Sequence, residues 1–141
     1  MSADYPSMTT AEIRSKFLNF FEERGLKLYP SSSLVPDDLS LLLANAGMNQ
    51  FKEYYQGKKT MKEIGAISCQ KCVRTNDIDC IGEDGRHLSF FEMLGDFSFG
   101  GVSKQQACAW AFELITKEFK LPLDRLYFTV FTEDDETHDV W

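Results

Sequence analysis

The chain has 141 residues, 43% of them hydrophobic and 13% aromatic, with a formal net charge of −7. That composition excludes a disordered polymer, and the lack of any run of about 18 apolar residues excludes a membrane-spanning helix. The length suits one domain or a piece of one, with twelve phenylalanines to dominate its core.

The charge at first argues against a nucleic-acid partner, but Glu133, Asp134, Asp135, Glu136 and Asp139 crowd the end of the chain. Setting those five aside from the 22 acidic residues leaves 17 against 15 basic ones. The segment from Lys52 to Arg74 is locally basic, with Lys58, Lys59, Lys62 and Lys71 between. A basic face and a set of solvated lysines both fit that pattern. The start, Met1 to Ser7, lacks the basic and apolar regions of a secretion signal, so a cytoplasmic protein without a membrane partner is expected. Of the four cysteines, Cys69 and Cys72 form one Cys-x-x-Cys, while Cys80 and Cys108 stand far apart. Zinc would need a second close pair, and a redox pair would need a helix start where Cys69 to Arg74 reads as strand. Reduced structural thiols, with no metal site, are the expectation.

In chain order, Thr9-Thr10-Ala11-Glu12 is a capping box opening a helix whose apolar stripe is Ile13, Phe17, Phe20 and Phe21, with Gly25 to end it. Leu26 to Tyr29 alternates as a short strand, and the Ser31–Asp38 stretch is loop. Leu39 to Ala44 is apolar enough for a buried strand, and Met48 to Gln56 suits a short helix. Ile64 to Arg74 and His87 to Met93 read as two strands separated by a polar loop too long for a tight hairpin. Ser103 to Gln106 is a second capping box, opening a helix with Ala107, Trp110, Ala111, Leu114 and Ile115 facing inward. Leu126 to Phe131 has the strongest strand propensity, and Thr132 then reads as the N-cap of a last helix with acids in its first turn.

This order lacks the regular alternation of a doubly wound sheet, and Gly95, Gly100 and Gly101 fit neither phosphate-loop spacing. The fold class is α+β, a mixed, largely antiparallel sheet flanked by helices.

The chemistry concentrates between Cys69 and Gly100. Arg74 closes the first strand, Arg86 and His87 open the second, and Phe90 and Phe91 follow. Guanidinium groups fork onto phosphate oxygens and an aromatic ring stacks on a purine, so strand-borne cations beside a ring suit a nucleotide. On an extended strand His87 and Phe91 share a face and Phe90 points to the other. Phe90 then suits the core and Phe91 the open face, though alternation alone does not say which face is which.

Arg74 followed by His87-Leu88-Ser89-Phe90-Phe91 resembles the second signature motif of class II aminoacyl-tRNA synthetases, an arginine ending one strand and His-x-x-x-Phe on the next. Together with Leu41–Lys52, Gln70–Arg74 and Phe90–Gly100, it is similar to the N-terminal catalytic region of the alanyl-tRNA synthetases, over Thr9 to Trp141. The resemblance implies ATP-dependent activation of alanine to alanyl-adenylate and its transfer to tRNA(Ala). It implies that Arg74 neutralises the α-phosphate, that His87 with Arg86 holds the outer phosphates, that Phe91 stacks on adenine and that Mg²⁺ bridges the phosphates. It places Thr75-Asn76-Asp77 toward the tRNA acceptor end and Asn45-Ala46-Gly47-Met48 beside the amino-acid pocket, next to a motif that builds a dimer interface. A homo-oligomer is therefore compatible with it. Residues 1–141 would be the N-terminal portion of a class II aminoacylation domain. The third motif, the tRNA-binding region and a zinc-bearing editing domain would follow Trp141, so the chain alone is expected not to run the full reaction. The family pattern changes at Gly100-Gly101-Val102-Ser103-Lys104, at Leu43-Ala44, at Asp96 and in the short, lysine-free loop after Arg74. Those departures also fit a synthetase-derived paralogue that acts as a binding module without charging tRNA.

Overall fold

A computed structural model describes residues 7–38 and 40–141. The first residues, where a secretion signal was sought, and Leu39 lie outside the described residues. Helix α1 (Thr10–Glu22) starts as its sequence dictates: the Thr9 hydroxyl accepts from the Glu12 N–H, and the Glu12 carboxylate accepts from the Thr9 N–H at 2.7 Å. Gly25, at φ 87°, takes the left-handed conformation that turns the chain out of the helix. Strand β1 (Lys27–Leu28) follows at once.

Gly47–Phe51 forms a 3-10 turn that runs into the short helix α2 (Lys52–Tyr55). Strand β2 (Gly65–Val73) is central, parallel to β1 and antiparallel to β3 (Phe90–Ser98). The observed architecture is α+β, with a small, open, mixed sheet flanked by helices. Helix α3 (Lys104–Glu113), capped by the Ser103 hydroxyl on the Gln106 N–H, continues into a π turn at Leu114–Glu118, and α4 (Asp135–Val140) closes the described chain.

Register sorts the side chains. Ile67 lies opposite Asp96 and Cys69 opposite Leu94, and this face packs on α1. Phe17, Phe20, Phe21, Leu26, Ile67 and Leu114 form the core, with Leu94 and Trp110 at its rim. The rings of Phe17, Phe20 and Phe21 meet edge-on at 5.0–5.1 Å. On the other face Ala66, Ser68 and Gln70 lie beneath the Gly47–Phe51 turn, whose Phe51 packs on Phe97 at 4.9 Å. That turn stops short of Cys72 and Phe91; the Ala44–Asn45 segment reaches this end instead, where Cys72 is buried and Phe91 half-buried.

Four sequence expectations need correction. The residues described between Ser40 and Ala44 form no strand: Asp38 Oδ1 accepts from the Ser40 N–H and hydroxyl and its carbonyl from the Leu41 N–H, which turns the chain. Leu126–Phe131 is extended but has no ladder partner among the described residues; strand propensity measures fit to a half-buried pleat, and Tyr127 is 92% exposed. The last helix is capped by Asp134 rather than Thr132, because the Asp134 carboxylate also meets Lys104. Leu114 is buried as expected, but Ala107 and Ala111 are exposed beside a groove of about 320 Å³ and Cys108 is buried instead, since α3 stands off the sheet there.

Candidate active site

Arg74 directly follows β2, and its N–H donates to the Ser89 carbonyl oxygen at 3.1 Å, the last bond across the strand pair before the chain parts into the 75–88 loop. Alternation puts the Arg74 side chain on the face of Cys72, which lies opposite Phe91. The guanidinium carbon stands 5.3 Å from the Phe91 ring centre, within cation–π range. Arg74 Nε donates to the Asn45 carbonyl oxygen at 3.1 Å. The terminal amino groups have no hydrogen-bond partner among the described residues, so the guanidinium is fixed on one side and able to donate on the other.

The segment that supplies that carbonyl is itself tied down. Ala44 donates its N–H to the Leu34 carbonyl at 2.8 Å and accepts from the Val73 N–H at 2.9 Å. Asn49 Nδ2 donates to the Asn45 side chain at 3.0 Å, and the Gly47 N–H contacts Met93 Sδ at 3.2 Å. Arg74 lines a cleft of about 440 Å³ together with Leu41, Leu43, Asn45, Ala46 and Asn76.

The loop cations are held differently. Strand β3 begins at Phe90, so His87 precedes it and is not carried on the ladder. Asp84 Oδ1 accepts from the N–H groups of Arg86 and His87 at 2.9 and 3.0 Å, and its Oδ2 lies 2.5 Å from His87 Nδ1. The backbone donors above all, with the imidazole adding to them, hold the Asp84 carboxyl at about 2. The structure therefore brings Arg74 and Phe91 together and keeps Arg86 and His87 in an Asp84-pinned turn, with no contact to that pair among the described residues. Phe90 does lie on the helix face, but beyond its covered part, and is 52% exposed; Phe91 is half-buried.

Sequence reasoning missed Asp84, whose Asp-Gly dipeptide ahead of Arg86 and His87 was a legible turn signal. It also missed Gln70, a buried amide that joins Ser32, Gln50 and the Lys71 carbonyl. Cys69 and Cys72 point to opposite faces of β2, so this Cys-x-x-Cys cannot converge on one ion, and burial raises both thiols above their ordinary range. No group of three or more His, Cys, Asp or Glu side chains converges among the described residues. At the departure from the family pattern, a Cβ on Gly101 would lie 2.8 Å from the Ile64 Cβ and carbonyl oxygen, so the close approach of those two chains demands glycine.

A family profile described as tRNA synthetases class II (A) matches residues 12–141. The chain belongs to that family. This class II synthetase chain is 54% identical over 129 residues to the chloroplastic/mitochondrial alanine–tRNA ligase of Sorghum bicolor, which covers 92% of the chain and 13% of the relative. It is 50% identical over all 141 residues to the alanine–tRNA ligase of Synechocystis, covering 16% of that protein. The same range holds for the alanine–tRNA ligase of Endomicrobium trichonymphae, 49% identical over 133 residues. The chain thus spans between about an eighth and a sixth of the length of these relatives. No helix among the described residues is long and apolar enough to cross a membrane.

Proposed function

We propose that residues 1–141 are the N-terminal portion of the aminoacylation domain of an alanine–tRNA ligase, which activates alanine with ATP and transfers it to tRNA(Ala). The observation that carries the reading is the Arg74 guanidinium, anchored by the Asn45 carbonyl in its cleft and 5.3 Å from the Phe91 ring centre. A nucleoside triphosphate supplies what this arrangement lacks: a purine for the ring and phosphate oxygens for the guanidinium.

Arg74 contacts the α-phosphate, where negative charge grows as the alanine carboxylate attacks. A donor already fixed there needs no reorganisation in the transition state. Phe91 stacks on adenine. Arg86 and His87, at the far end of the 75–88 loop, hold the outer phosphates. Mg²⁺, the family's usual ion, would enter with the nucleotide and offset its phosphate charge, and no side chain of this chain is assigned to hold it. Alanine sits beside Asn45-Ala46-Gly47-Met48.

The test is alanine-dependent exchange of pyrophosphate into ATP by the full-length gene product. Exchange with alanine and not with leucine is expected. A folded full-length protein that exchanges with no amino acid would overturn the reading and leave a binding module.

A further inference from the structure

The Asp84 carboxylate spends both oxygens on two residues of the same turn, and that arrangement has a chemical consequence for His87. An ionised carboxylate only accepts hydrogen bonds, and at about 2 its carboxyl is ionised across the neutral range. The proton in the 2.5 Å contact with Oδ2 therefore belongs to His87 Nδ1. The backbone bonds to Oδ1 fix where the carboxylate stands relative to the ring. Both side chains are about 40% exposed, which leaves the remaining ring nitrogen accessible.

We propose that Asp84 is a positioning residue that holds His87 by Nδ1 and presents Nε2 to the outer phosphates of a nucleoside triphosphate, a role that rests on the assignment of His87 made above. Phosphate oxygens accept; they do not donate. With Nδ1–H committed to Asp84, neutral His87 offers only a lone pair at Nε2. The ring donates to phosphate only as imidazolium. Asp84 is the charged side chain in contact with the ring among the described residues, flanked in sequence by Glu83 and Arg86. Nucleotide affinity should therefore be higher with the ring as imidazolium than with the ring neutral.

Asp84→Asn separates this role from a merely structural one. An amide oxygen still accepts the two backbone N–H groups, while its NH2 donates to Nδ1 and moves the neutral ring's proton to Nε2. Two measurements decide the matter. In the 141-residue chain, ¹⁵N-imidazole NMR should show neutral His87 protonated at Nδ1, and protonated at Nε2 in Asp84→Asn; an Nε2-protonated ring in the unsubstituted chain overturns the proposal. In the full-length gene product, KM for ATP in pyrophosphate exchange should rise about tenfold in His87→Ala, the loss of one charge-assisted bond. It should rise comparably in Asp84→Ala, with kcat less affected. Asp84→Asn should keep the KM measured at low pH and lose its rise at high pH. If His87→Ala leaves KM unchanged, the phosphate role of His87 fails and this proposal with it. If His87→Ala raises KM while both Asp84 variants keep the original pH profile, the positioning role alone fails.

Discussion

The Arg74 guanidinium lies over the Phe91 ring at 5.3 Å while its Nε is spent on the Asn45 carbonyl, so the two strands and the preceding loop agree on one orientation for the planar group. A lysine would keep the charge but not the planar fork, whose Nε serves the carbonyl while its terminal amino groups stay available.

In the full-length gene product, Arg74→Ala should therefore lower kcat/KM for alanine-dependent pyrophosphate exchange by about 2–4 kcal/mol of transition-state stabilisation. Arg74→Lys should recover less than half of that. An unchanged rate in Arg74→Ala would remove Arg74 from the chemistry.

Phe91→Ala should weaken ATP by about 1–3 kcal/mol, the usual worth of one base stacked on a ring, and appear chiefly in KM. Phe91→Trp should keep most of the affinity, because any flat ring presents a π face. Phe90→Ala is the control: Phe90 lies on the opposite face of β3 and should leave KM for ATP in place.

Gln70 is 1% exposed and has every polar group engaged. Its Oε1 accepts from the Ser32 N–H at 2.9 Å, from the Ser32 hydroxyl and from Gln50, while its Nε2 donates to the Ser32 and Lys71 carbonyls. Gln70→Leu keeps the bulk and strands those partners. Urea unfolding should show a loss of about 1–3 kcal/mol. A neutral result would mean that water reaches the Ser32 amide.

Lys104 beside it, together with the N–H and hydroxyl of Thr137, holds the Asp134 carboxyl at about 2, below its ordinary 3.8. The folded value is the lower one, so the unfolded chain takes up the proton first as pH falls. The stabilisation is complete above about 4 and disappears as pH drops through about 2. The Thr137 amide resonance should titrate within that window, and Asp134→Asn should abolish the transition.

Much of the fold was legible because local chemistry and tertiary packing agree. Thr9 and Glu12 cap α1, Phe17, Phe20 and Phe21 are its buried stripe, and the strand ending at Arg74 pairs antiparallel with the one carrying Phe91. The failures have a common cause. Leu126–Phe131 has strand propensity and Leu39 to Ala44 apolar content, yet a strand needs a neighbour, and Asp38 bends the described part of the second segment. At the site, Arg74 is legible as the cation closing a strand and Phe91 as one of two adjacent rings on the next. The Asn45 carbonyl is not, because it is a main-chain group brought in from a distant loop and carries no side-chain signature.

The two tryptophans sit apart from that chemistry. Trp110 meets Phe21 edge-on at 6.2 Å on the helix side, Trp141 stacks on Phe128 at 4.4 Å, and neither lines the Arg74 cleft. Intrinsic fluorescence will thus follow melting of this chain faithfully and stay dark to occupancy beside Arg74. In the 141-residue chain, a titration that watches indole emission alone would miss a ligand bound beside Arg74.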